Sequence, residues 1–287
     1  MKNSIFLVIF LLLINCEKKT ETAESYYKGS LTVLADDSFQ SVMEALAEGY
    51  MINYPDSEIK VENKKEDIAL LDLLQKKAKI IVMSRDLSET ERKEYERVID
   101  LPYEPAKFAA DAVLFVVPKE STINSISYND IEKELLSDDK KFVFDGTNSS
   151  NLNFVAQTFK KKPSELKFSV IDGNENVVEQ LSKYPNKIGV ISLNTFSRPY
   201  SKEAEALRTK VKVLSIQKNG KIYTADAPNL RTMSYPFTRV LYFLKSDGAF
   251  TMANGFIRYS CTQLGQIIVE KEGLQKYNLY ERQVQMH

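Results

Sequence analysis

The sequence of 287 residues contains a single histidine, and it is the last residue, His287. Every mechanism that needs an internal imidazole is thereby excluded, including Ser-His-Asp and Cys-His nucleophiles and His-ligated zinc. Two cysteines, Cys16 and Cys261, cannot build a Cys-rich metal site. Charge of one sign is missing as well. With 39 Lys and Arg against 39 Asp and Glu, no positive excess exists to displace counterions from a nucleic acid. The apolar run 5–14 holds only ten residues, too few for a membrane-spanning helix, which needs about 20. What is present is ordinary: 43% hydrophobic and 27% charged residues describe a globular chain. Its length suits one large domain or two of common size, each able to bury a core.

The short apolar run follows a basic start, Met1-Lys2-Asn3-Ser4, and reads as a signal-peptide core to be set aside from the fold. It ends in Leu12-Leu13-Ile14-Asn15-Cys16, which resembles a bacterial lipobox, although Asn15 stands where a Gly or Ala is usual. Residues 1–16 are therefore expected to be a lipoprotein leader ending at Cys16, the lipidation site. The polar segment 17–28 is expected to be a tether. With Cys16 acylated, Cys261 stands alone and is expected to pack as a small hydrophobe.

The remainder alternates between two periodicities. Ser30–Ala35 and Lys79–Met83 read as buried strands, Glu58–Val61 as an alternating one, and Phe108–Val117 as a long apolar one. Between them, Val42, Met43, Leu46 and Tyr50 recur at helical spacing, and Ser88 with Glu91 forms a capping-box pattern. A second set follows, with strands at Lys141–Phe144 and Ile188–Ile191 and helices around 151–159 and 174–183. A long amphipathic helix is predicted over 249–271, closed by Gly273. The order βαβαβ implies an α/β fold around mainly parallel sheets.

In such folds ligands bind beyond the carboxyl ends of strands, facing the free N–H groups of helix N-termini. Three turns qualify: Asp36-Asp37-Ser38-Phe39, Ser84-Arg85-Asp86, and Asp145 to Asn151. Each carries Ser near a helix start and the second adds a guanidinium, the donor set of an oxyanion receptor. The plain alternative for each turn is helix capping by Ser, Asp and Asn.

Several ordered patterns resemble one family, the phosphate-binding component of bacterial phosphate ABC importers, a periplasmic binding protein of type II architecture. They are Leu31 to Val61, the segment Ile80–Leu87 with Glu91, Ala109–Val117, Asn186–Val190, Tyr235-Pro236-Phe237-Thr238-Arg239 with Leu241-Tyr242, and Phe256-Ile257 with Gly265–Ile268 and Gly273-Leu274. The resemblance covers about residues 30 to 280. It implies two lobes, each a mixed sheet flanked by helices, with a ligand cleft between them. The first lobe would take 29–117 with 228–287, and the second 118–227.

It further implies inorganic phosphate as ligand, an ABC permease as partner, a membrane-anchored monomer, no nucleic acid, no cofactor or metal, and no catalysis. Carried over by position, ligand contacts fall on Ser38, Phe39, Ser84, Arg85, Ser149, Ser150 and Asn151, with Asp111 as acceptor or support and Arg239 as brace. The family's Arg-x-x-Gly-Ser-Gly-Thr turn is altered here: Asp145 takes the Arg place and Ser150-Asn151 replaces Gly-Thr. An Arg85–Asp145 pair of reversed polarity is one reading of this, with Asp145 accepting the proton that hydrogenphosphate carries and sulfate lacks. A binding or sensor lipoprotein for another small oxyanion is the alternative function. A carboxylate pair or magnesium site among Asp36, Asp37, Asp111 and Asp145, and a purely structural lipoprotein, are the other classes the sequence leaves open.

Overall fold

The computed structural model describes residues 25–279. The leader and Cys16 lie outside the described residues. In chain order the elements are β1 (Gly29–Ala35), α1 (Gln40–Asn53), β2 (Ser57–Asn63), α2 (Glu66–Leu74), β3 (Ile80–Met83), α3 (Glu89–Ile99), β4 (Ala106–Pro118), β5 (Ser125–Ser127), α4 (Tyr128–Leu135), β6 (Phe142–Phe144), α5 (Ser150–Thr158), β7 (Ser169–Val170) and α6 (Asn174–Gln180). They continue with β8 (Ile188–Ser192), α7 (Lys202–Lys210), β9 (Val211–Val213), β10 (Ser215–Lys218), β11 (Lys221–Tyr223), α8 (Ala227–Arg231), β12 (Thr238–Lys245), α9 (Met252–Cys261), α10 (Gln263–Lys271) and β13 (Gln275–Lys276).

One strand organises the rest. β4 is buried from Phe108 to Val117, and its two halves serve different neighbours. Its first half pairs antiparallel with β12 and β13, its second with β8 and β9. The resulting sheet runs β2-β1-β3-β12-β4-β8-β6-β7, with parallel pairing of β1 to β2 and β3, and of β6 to β7 and β8. Strands covered on both faces must be apolar throughout, and Ile80–Met83 has no exposed residue.

The apolar core is divided accordingly. One cluster gathers residues 112–237, including Phe115, Phe142, Val190 and Phe237. Two others cover opposite faces of the first half of the sheet, around Val33, Leu46 and Phe256 and around Leu70, Ile81 and Tyr95. This is a two-lobed α/β architecture threaded by β4 and by the return through Tyr235, whose hydroxyl donates to the Val113 carbonyl.

The helix predicted over 249–271 is two helices. Thr262 is extended (φ −78°, ψ 172°) and is the N-cap of α10, and the break folds Gly265 tightly against the end of α9. A Cβ there would lie 2.4 Å from the Tyr259 carbonyl oxygen. Gly273 adopts φ +77° past the end of α10, as the C-cap role requires. Cys261 is half-buried at the end of α9, with burial pushing its thiol pKa up. The Ser88 capping box opens α3.

Candidate functional site

Three turns converge where the lobes meet. Asp36 caps the short 3₁₀ turn Asp37–Phe39 after β1, its Oδ1 accepting from the Ser38 amide at 3.1 Å. Its Oδ2 accepts two more backbone N–H groups, from Glu66 at 3.2 Å and from Ser150 at 3.0 Å. Ser150 opens α5 in the second lobe, so one fully buried carboxylate joins both lobes. Ser149 caps α5 by accepting from the Leu152 amide.

A second group forms around Arg239. Register places Arg239 of β12 opposite Asp111 of β4, which puts both side chains on one face of the sheet. The guanidinium is fully enclosed, with its Nε 2.9 Å and its Nη2 2.8 Å from Asp111 Oδ2. Nη1 reaches Ser84 Oγ at 3.4 Å and Nη2 donates to Asn151 Oδ1 at 2.9 Å, one residue from each lobe. The Phe39 ring lies under it at 4.7 Å, a cation–π contact. Asp111 also accepts from Ser192 Oγ and from the Asn194 amide.

The third group is acidic. Asp37 accepts from the Asn174 amide and Asn174 Nδ2, both at 2.8 Å, and from the Lys65 ammonium. Lys65 also donates to the Asp145 carbonyl at 2.8 Å and to Asp145 Oδ2 at 3.3 Å. Asn174 Nδ2 reaches Ser38 Oγ and Asp145 Oδ2, and its Oδ1 accepts from Asn151 and the Ser192 amide. Gly173, at φ +86°, supplies the left-handed turn that sets Asn174 there. Asp145 Oδ1 and Ser150 Oγ are buried with no hydrogen-bond partner among the described residues.

Crowded, enclosed carboxylates hold protons. Burial, reinforced by Asp36, pushes the Asp145 carboxyl up to about 7. Burial, with Asp37 adding to it, also raises Asp36. Burial acts against Asp37 too, but the Lys65 ammonium outweighs it and holds Asp37 below the usual range. Burial likewise disfavours the Lys65 charge, yet Asp145, Asp36 and Asp37 together keep it protonated.

Because an Asp in the unfolded chain titrates near 3.8, the folded chain retains the Asp145 proton between about 4 and 7 after the unfolded chain has released it. Stability is therefore expected to fall as pH rises through that window, with a slope of up to about 1.4 kcal/mol per pH unit. Thermal melts from pH 5 to pH 8 check this. Asp145→Asn should flatten the profile, and parallel curves for the two proteins would refute it.

The geometry redistributes the expected roles. Phe39, Ser84, Asp111 and Asn151 meet around Arg239, and Ser38, Asn151 and Asp145 meet around Asn174; Ser150 is tied to Asp36 through its amide, and Ser149 caps α5. Arg85 does not join Asp145. Its guanidinium contacts Glu91 at 2.8 and 3.0 Å, Asp67 at 3.2 Å and Glu66 at 3.6 Å. The cation facing Asp145 is Lys65, and the cation among the hydroxyls is Arg239. The reversed Arg85–Asp145 pair is thus corrected: Glu91, fixed by the capping box of α3, lies nearer to Arg85 and captures it. Lys65, Glu66, Asn174, Ser192 and Asn194 escape a reading by motif, since each lies outside the three turns and is delivered by its own element. Asp36, Asp37 and Asp145 lie within 4.8 Å of one another, but the Lys65 ammonium already answers two of them.

A receptor with a buried, hydroxyl-lined cation between two lobes is the class that fold and site define. The chain belongs to the PBP superfamily, whose domain model matches residues 20–263. Among curated proteins it is similar to the phosphate-binding protein PstS of Borreliella burgdorferi, at 24% identity over 300 residues, covering 95% of this chain and 98% of that one. Its fold is similar to that of a structure named as a phosphate ABC transporter substrate-binding protein with bound phosphate from Clostridium perfringens (TM-score 0.71, 20% identity, 86% of this chain and 99% of that one). An ABC-type phosphate transport receptor from Vibrio cholerae is likewise similar (TM-score 0.64, 16% identity, 86% and 100% covered). No helix among the described residues is long and apolar enough to cross a membrane.

Proposed function

We propose that this chain is an extracytoplasmic, lipid-anchored receptor that captures inorganic phosphate between its lobes and passes it to an ABC importer, without chemistry on the ligand. The observation that carries the reading is Arg239, enclosed, oriented by Asp111 and touching Ser84 of one lobe and Asn151 of the other. It supplies the cation that the turn at Asp145 lacks. The hydroxyls of Ser38, Ser84 and Ser150 and the amides of the turns would surround the oxyanion, and closure of both donor sets on one ligand favours the closed form. Once ionised, above about pH 7, Asp145 Oδ1, buried and unpartnered, is suited to accept the proton of hydrogenphosphate. Cys16 would hold the receptor at a membrane. The names borne by the similar proteins support phosphate as the ligand and transport as the context.

Calorimetric titration of the protein, stripped of anions by partial unfolding and dialysis, tests this. Heat with phosphate and none with sulfate is expected, and Asp145→Asn should erode that preference. Silence from both anions would overturn the reading. Because Arg85 is committed to Glu91, Asp67 and Glu66, Arg85→Gln should weaken phosphate binding by no more than about fivefold, or roughly 1 kcal/mol. A larger loss in the same titration would return Arg85 to the ligand.

A further inference from the structure

We propose that Lys65 is a positioning residue for anion capture, an ammonium from the first lobe that ties the second lobe across the cleft and so sets how tightly the lobes close. The inference rests on the reading of the cleft as an oxyanion site.

Lys65 lies in the link between β2 and α2, immediately before the first turn of α2. On its own lobe it is held by Asp37, and across the cleft it donates to both the carboxylate and the carbonyl of Asp145. Asp172, also of the second lobe, approaches to 3.9 Å. The charged and titratable groups facing the ammonium are therefore Asp36, Asp37, Asp145 and Asp172. The opposing backbone is shaped to admit the side chain. At Gly146 a Cβ would stand 3.0 Å from Lys65 Cε and 3.4 Å from Nζ.

The chemistry explains why a cation is needed at this point. Asp36, Asp37 and Asp145 sit within 4.8 Å, two on one lobe and one on the other. Bringing the lobes together would press like charges into a water-poor space, which opposes closure. The single ammonium between them turns that repulsion into attraction. An Arg at position 145, as the family pattern has it, would instead repel Lys65. The Asp145–Lys65 pair and the Asp111–Arg239 pair thus divide between them the two tasks of closing the lobes and holding the anion.

Lys65→Met keeps the stem and removes the charge. Its phosphate Kd is expected to rise at least tenfold at pH 8, through faster release. The rise should be smaller at pH 6, where a proton on Asp145 substitutes for the missing ammonium. Lys65→Arg should recover most of the affinity. A merely structural role would show neither this pH dependence nor the rescue.

Small-angle scattering of both proteins in anion-free buffer gives a ligand-independent measure, and Lys65→Met should have the larger radius of gyration. A Kd within twofold of the parent at both pH values, together with an unchanged radius, would overturn the proposal. If the parent itself shows no phosphate heat, the oxyanion reading falls. The scattering comparison then decides alone whether Lys65 closes the lobes.

Discussion

Arg239→Met is expected to abolish phosphate binding at millimolar ligand, and to lower stability at the same time. Hydrogen bonds from a charged donor contribute about 1.5–3 kcal/mol each, so if, as proposed, the guanidinium offers two to the oxyanion, its loss weakens affinity by at least ~100-fold. The fold suffers separately, because Asp111 is left as an enclosed carboxylate with only Ser192 and the Asn194 amide to answer it. Breaking a buried ion pair from one side costs about 3–5 kcal/mol.

The two effects can be parted. Adding Asp111→Asn removes the stranded charge while keeping an acceptor, and should return part of the melting temperature. It should leave phosphate binding absent, because the cation is still missing. Calorimetry and thermal melts on the single and double variants check both statements. Recovery of binding in the double variant would show that Arg239 serves only to neutralise Asp111.

Asp36→Ala is expected to have the largest effect on stability among the polar residues of the cleft. One carboxylate accepts the amides of Ser38, Glu66 and Ser150, drawn from the turn after β1, the start of α2 and the start of α5. Ser38, Glu66 and Ser150 are themselves buried, so water does not readily replace the lost acceptor. Each stranded donor costs about 1–3 kcal/mol, which gives a loss on the order of 5 kcal/mol. For a chain of this size that lowers Tm by on the order of 10 °C. Asp36→Asn, with one acceptor oxygen left, should fall roughly midway. A Tm change of about 2 °C or less for the alanine variant would mean that the three amides find other partners.

Much of the fold was legible from residue pattern. The apolar run at Ile80–Met83, the capping box at Ser88 and the C-cap at Gly273 are local chemistry, and each appears where the pattern places it. The predicted helix over 249–271 failed at Thr262 because amphipathic spacing continues across the break. The turn itself is tertiary: it presses Gly265 so close to the Tyr259 carbonyl that no side chain would fit there.

In the site, turns rich in Ser and Asp were visible because capping and anion binding need the same residue types. The partners of those turns were not. Arg85 is beside Ser84 in sequence, yet Glu91 and Asp67 occupy it. Arg239 lies 154 residues farther on, and only the antiparallel register of β12 on β4 lays it against Asp111.

The sequence by itself therefore determined the class of chemistry: no imidazole before the terminal His287, too few cysteines for a Cys-rich metal site, and hydroxyl-bearing turns after buried strands. Tertiary structure decided which cation stands among the hydroxyls and which one spans the lobes. Charge pairing in a buried space depends on distance in three dimensions, and strand register and lobe contact set that distance between residues far apart along the chain.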